Sequence, residues 1–285
     1  MQIRSCRKAS ADPPTLRIAY TPDSDDVFNF YAWERGRVQL DGLGARFDRD
    51  PIIALNRAAA MERYDVVAIS SVVYPSLADR YWILATGNSI GRGYGPVLAS
   101  KRYAHVEQLH GKRVAVAGVP TTGAALAAMY CPAAELIEMR YDRIAGAILA
   151  GDVDAGVMIH EELLFFPQRG LQRVCDLGKA WCDETGLPLP VGLNVCHRRV
   201  GMDTARRVVE TSRASLQWAH DHFDEAFAFA SRFGRGCSKD HVDMFSNADT
   251  LRLAGDVREA LVVLFDRAAS LGLGPRLDRI EVVDA

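Results

Sequence analysis

Four short stretches place chemistry-bearing side chains where an apolar run ends. In "TPDSDDV" (21–27), Asp23, Asp25 and Asp26 put three carboxylates within four residues, directly after "LRIAY" (16–20). Carboxylates at that position can cap a helix and complement its dipole, or form one wall of a ligand pocket. A hard-cation site would need further oxygen ligands. None follows, so no metal ligands are assigned. Ser70 and Ser71 close the apolar run "DVVAI" (65–69), as a helix cap or as hydroxyl donors to a ligand. "GVPTTGA" (118–124) sets Thr121 and Thr122 at a helix start. There, hydroxyls and unpaired backbone N–H groups can cradle a carboxylate or phosphate, or simply cap the helix. No Lys follows the Gly, so this is not a nucleotide P-loop. "MIHEE" ends an apolar run on His160, flanked by Glu161 and Glu162. A histidine in that setting is structural or a general base, and the neighbouring carboxylates could orient it or raise its pKa.

The elements that must position these groups alternate. "LRIAY", "ARFDRD" (45–50), "DVVAIS" (65–70) and "YWILATG" (81–87) read as strands. "DDVFNFYAWERG" (25–36), aspartate-capped and ended at Gly36, and "IIALNRAAAME" (52–62) read as helices, and a short helix starts at Val72. This βαβαβ order predicts a mostly parallel sheet. The pattern restarts with strands over 112–118, 134–141 and 153–160 and helices over 121–130 and 142–151. From Asp203, read as an N-cap, one helix runs to Phe233, and another spans 256–273.

Two Gly- or Pro-rich segments, 91–100 and 185–199, bridge the halves. Two crossings imply an inserted lobe: lobe 1 from 15–95 and 199–285, lobe 2 from 96–198. The ligand would sit between them, with the crossings as hinge. "GRGYG" (91–95) does not join a strand to a helix, so it is no dinucleotide fingerprint. Its glycines read as serving the hinge.

The 285 residues are 49% hydrophobic and 25% charged with net charge −2, which suits a globular α/β protein and argues against nucleic acid as partner. No apolar run reaches the ~20 residues of a membrane helix. "MQIRSCRKASADPP" has no apolar h-region, so it reads as a disordered leader and the protein as cytoplasmic. Six cysteines, Cys6, Cys131, Cys175, Cys182, Cys196 and Cys237, show no metal spacing and read as free thiols. His197 reads as solvated, and His105, His110, His220, His222 and His241 as surface residues.

In order, "TP.SDD.F.FYA", "DVVAISS", "GRGYGPVLAS", "TTGAALA", "VDAGVMIHE" and "DLGKAWCDETGLPLPVGLNVCHR" resemble the 1,4-dihydroxy-6-naphthoate synthases of the futalosine route to menaquinone. The similarity covers roughly 16–270. It implies a two-lobed α/β protein of the type II periplasmic-binding-protein fold, with mixed sheets flanked by helices, working in the cytoplasm. It further implies carbon–carbon lyase chemistry on cyclic dehypoxanthine futalosine, with no cofactor. By that resemblance His160 is the general base, and Thr121 and Thr122 hold the substrate carboxylate. Ser70 and Ser71 line the pocket from the other lobe, and Asp23, Ser24, Asp26 and Asn56 join the substrate-binding set. The implied partner is a small-molecule carboxylate, with no nucleic acid or membrane, for a monomer or homodimer. The chain departs from the family's usual "SPCPNDTF" loop, whose Cys-Pro-Asn becomes Asp23-Ser24-Asp25. The alternative is a non-catalytic solute-binding protein, or a paralogue with a changed substrate, on the same fold.

Overall fold

The computed structural model describes residues 14–234 and 239–285, with the side chain of His241 left aside. The leader, Cys6 and Cys237 lie outside the described residues. Twelve strands follow in chain order: β1 (Thr15–Tyr20), β2 (Gly44–Arg49), β3 (Val66–Ser70), β4 (Tyr81–Leu84), β5 (Ser89–Gly91), β6 (Val97–Ser100), β7 (Arg113–Val116), β8 (Glu135–Glu138), β9 (Ala155–Met158), β10 (Gln172–Asp176), β11 (Leu189–His197) and β12 (Val282–Val283). The helices are α1 (Ser24–Glu34), α2 (Ile52–Ala60), α3 (Thr122–Tyr130), α4 (Tyr141–Ala150), α5 (Glu162–Phe165), α6 (Leu177–Thr185), α7 (Met202–Asp221), α8 (Phe223–Ala230), α9 (Lys239–Phe245), α10 (Ala248–Leu251) and α11 (Gly255–Ser270).

They build two mixed sheets. The first has the order β12-β4-β11-β3-β1-β2, with β5 paired to β11, and the second β10-β6-β9-β7-β8. All strands of the second sheet lie between β5 and β11 in the chain, so one unit is inserted in the other. Strand β1 is parallel to β2 and β3, and β7 to β8 and β9. Every residue of β3 and β9 is buried, because helices cover both faces and the strands can be apolar throughout.

The mostly parallel first sheet expected from the sequence becomes mixed because β11 returns antiparallel to β3, β4 and β5. The stretch 185–199, read as an extended crossing and up to 198 as part of the inserted lobe, thus contributes a full strand to the first sheet. Its Pro190 sits at an irregularity in the β5–β11 register, where a proline is tolerated. The helix read from Asp203 to Phe233 is two. It starts after Gly201, with Asp203 inside the first turn, and breaks at His222, whose ring stacks on Trp218. Both pieces pack on α1.

In "GRGYG", Gly91 and Gly95 have a packing reason, while Gly93 has open space and a positive φ of +80. A Cβ on Gly91 would lie 2.0 Å from the Tyr94 carbonyl oxygen, and one on Gly178, at the start of α6, 2.2 Å from the Tyr94 carbonyl carbon. The tight loop and the helix start therefore touch backbone to backbone. Arg92 pairs with both Asp249 and Asp256, which ties this loop to the C-terminal helices.

Candidate functional site

The loops after β1, β3, β7 and β9 converge on one cavity between the sheets. It holds about 860 Å³ of empty space, its open mouth included. From the first sheet come Thr21, Asp25, Asp26 and Ser70, and from the inserted unit Thr121, Thr122 and His160. No Lys or Arg is among the described lining residues, and His160 is the one basic side chain there.

His160 lies two residues beyond β9 with φ +54, a left-handed backbone that a non-glycine residue adopts only where its surroundings enforce it. Its Nδ1 is 2.6 Å from Asp23 Oδ2, with the imidazole 19% and the carboxylate 1% exposed. The ring therefore reaches the cavity while Asp23 backs it. The next residues pair as well: Glu161 Oε1 accepts from Ser24 N and from Ser24 Oγ, both at 3.0 Å. Burial works against the imidazolium, but the Asp23 carboxylate, followed by Glu161 and Asp25, outweighs it and raises the His160 pKa to about 9.

Asp26 is governed by burial in the other direction. Its Oδ2 accepts from Thr21 N (3.1 Å) and Thr21 Oγ1 (2.6 Å). Desolvation, and then the charge of Asp25, still push its pKa up to about 7. Asp23 precedes α1, yet its side chain makes no capping bond, so the aspartate cap expected from the sequence is absent.

The remaining predicted residues divide. Thr121 caps α3 by accepting from Ala124 N (3.2 Å) and donates to the Gly118 carbonyl (2.8 Å). Thr122 donates to the Val191 carbonyl at 2.7 Å. Both threonines line the cavity, but both hydroxyl protons go to the protein. Asn56 does not line it: Nδ2 donates to Ser70 Oγ (3.1 Å) and the Pro120 carbonyl (3.0 Å), and Oδ1 accepts from Ser70 N (2.9 Å). It fixes the Ser70 loop against the Thr121 loop. Ser24 and Ser71 are fully buried and stand outside the lining.

The chain matches, over residues 16–270, the family model described as menaquinone biosynthesis. It belongs to this menaquinone biosynthesis family. Among curated proteins, it is 34% identical over 266 residues to the 1,4-dihydroxy-6-naphthoate synthase of Thermus thermophilus, covering 90% of this chain and 95% of that one. It is 32% identical over 282 residues to the enzyme of the same name from Streptomyces coelicolor, covering 94% and 97%. A solved protein of Archaeoglobus fulgidus superposes with a TM-score of 0.86 at 37% identity, covering 91% of this chain and 98% of that one. The alkanesulfonate-binding protein of Xanthomonas axonopodis, bound to MOPS, superposes at 0.68 with 14% identity over 97% and 100% of the chains. That likeness concerns the fold alone, which is that of periplasmic binding proteins.

For a member of this family, the sequence reading left two site features unseen. The Asp23–His160 contact joins residues far apart in the chain. Asn194, on β11, lines the cavity with a buried Oδ1 that has no hydrogen-bond partner among the described residues; an amide inside the apolar run "GLNVC" was its signal. His197 is buried rather than solvated, and stays outside the lining. Its Nε2 is 2.9 Å from Glu62, and its Nδ1 accepts from Arg199 N. His105, His110 and His222 are exposed, whereas His220 is half-buried against Phe28. Among the described residues, Cys131, Cys175, Cys182 and Cys196 are free thiols. No helix there is long and apolar enough to cross a membrane, and no cluster of three or more His, Cys, Asp or Glu could hold a metal ion.

Proposed function

We propose that the protein converts cyclic dehypoxanthine futalosine to 1,4-dihydroxy-6-naphthoate and a sugar-derived fragment, with His160 as general base. The observation that supports this most is the placement of His160. It is the one basic side chain on the described cavity wall, and its ring is backed by a buried carboxylate. Substrate proton abstraction by the imidazole starts the ring cleavage, and Asp23 offsets the positive charge that forms. The substrate carboxylate docks at the start of α3. The threonine hydroxyls there are committed to carbonyls, so the first-turn N–H groups of Thr122 and Gly123 are the donors left for it.

In this reading the segments 91–100 and 185–199 act as the hinge, and closure expels water from the cleft. The reaction takes place in the cytoplasm without an added cofactor. A second reading, a paralogue with a changed substrate, is favoured by Asp25, one of the residues that replace the family's Cys-Pro-Asn, facing a cavity whose described lining has no Lys or Arg. The test is to incubate the purified protein with cyclic dehypoxanthine futalosine and follow naphthoate by absorbance. Well-folded protein that forms no naphthoate contradicts the proposal.

A further inference from the structure

We propose that Asp23 is the positioning residue of His160, so that the base is an aspartate–histidine pair assembled from the two structural units of the chain. The inference rests on the reading of His160 as the base.

Asp23 occupies the N-cap position of α1, where an aspartate normally accepts from the helix N–H groups. Here it makes no such bond. The side chain is 1% exposed and lies 2.6 Å from His160 Nδ1. Apart from this ion pair, neither carboxylate oxygen has a hydrogen-bond partner among the described residues. A buried carboxylate withheld from its helix is costly unless a cation compensates it, and His160 is the ion-pair partner at hand. With Nδ1 held by Asp23, Nε2 is the nitrogen left to accept a proton from substrate.

The pairing is built from both sides. Asp23 ends the loop after β1 and Ser24 opens α1, both against the first sheet, whereas His160 and Glu161 belong to the loop after β9 in the inserted unit. Two adjacent pairs, 23 with 160 and 24 with 161, join the start of α1 to the loop after β9. The Ser24–Glu161 bonds hold the backbone at which His160 takes its left-handed conformation. The charged and titratable groups around the imidazole are Asp23 and Asp25 from the first unit, Glu161 beside it, and Tyr141, whose ring meets it edge-on at 5.0 Å. The base is therefore complete only while the two units are together.

The test has two readouts on the full chain, wild type against Asp23→Asn and Asp23→Glu. The first is the NMR titration of the His160 ring without substrate. The second is the pH dependence of kcat/KM on cyclic dehypoxanthine futalosine. Asp23→Asn is expected to lower the His160 midpoint from about 9 by at least about one unit. The same change moves the acid limb of kcat/KM down by a similar amount. The high-pH plateau falls about 10- to 100-fold while KM stays within about twofold. Asp23→Glu, which keeps the charge, recovers part of both shifts. An unchanged His160 midpoint in folded Asp23→Asn overturns the proposal. Should that variant not fold, an Asp23→Glu protein with an unaltered titration and unaltered plateau overturns it instead. A shifted titration in proteins that never turn over the futalosine upholds the pair and removes the proposed function.

Discussion

Asp26 and His160 share one cavity, and both bind protons more tightly in the folded protein than in the unfolded chain. For His160, raised to about 9, the stabilising contribution is fully present below about pH 6.5 and is lost as pH rises through 9. For Asp26, raised to about 7, the folded state prefers the neutral carboxyl, so stability erodes as pH rises from about 4 to 7. Asp26→Asn keeps an oxygen for the two Thr21 bonds and removes the ionisation. It should stabilise the protein by roughly 2–4 kcal/mol at pH 8 and little at pH 4. Denaturant unfolding at the two pH values measures this, and a gain equal at both would contradict the burial account. Asn56→Ala should cost about 1–3 kcal/mol in the same measurement, because it strips the partners from Ser70 N and the Pro120 carbonyl. The sequence pointed to Asp26, Ser70, Thr121, Thr122 and His160 because each follows an apolar strand, and strand ends are where such folds gather their ligands. It could not show that Asp23 meets His160 or that Asn56 clamps two loops, since both depend on how two separate sheets face each other.

Among the elements, helices α1, α2, α3, α4 and α11 and the apolar runs of β1, β3, β7 and β9 were readable from hydrophobic periodicity, whereas α5, α6, α9 and α10 were not. The short strands β5, β6 and β10 and the Pro- and Gly-containing β11 were not, since three to five residues carry too little pattern and β11 includes residues that normally mark loops. The break at His222 was hidden for the opposite reason, as apolar residues continue at helical spacing on both sides of it. Packing, not patterning, fixes the glycine at the start of α6. Gly178→Ala places a Cβ 2.2–2.3 Å from the Tyr94–Gly95 backbone, and backbone cannot swing aside as a side chain can. The expected cost is about 3 kcal/mol or more, or loss of soluble protein. Gly146→Ala on α4 is the control: nothing lies within 4 Å, and the change should stabilise by about 0.5–1 kcal/mol. Thermal unfolding of both variants checks the pair.

The molecule as a whole is two sheets, the strands of one lying between β5 and β11 of the other in the chain, and bonds cross between them around the cavity. Asn56 reaches the Pro120 carbonyl, Thr122 the Val191 carbonyl, and Ser24 the Glu161 carboxylate. The restart of the α/β pattern marks the strands of the second sheet in the sequence, whereas the return of β11 into the first sheet is set by pairing with β3, β4 and β5 that no local pattern encodes. The chain belongs to the menaquinone biosynthesis family, and the proposed chemistry depends on the base that this architecture presents to the cavity. The most direct measurement is kcat/KM for cyclic dehypoxanthine futalosine across pH 6–10, wild type against His160→Gln. The account predicts a wild-type rate that climbs with pH to a plateau near or above 9, as the imidazole loses its proton, and a plateau at least about 100-fold lower for His160→Gln. A His160→Gln protein with undiminished naphthoate formation would contradict it.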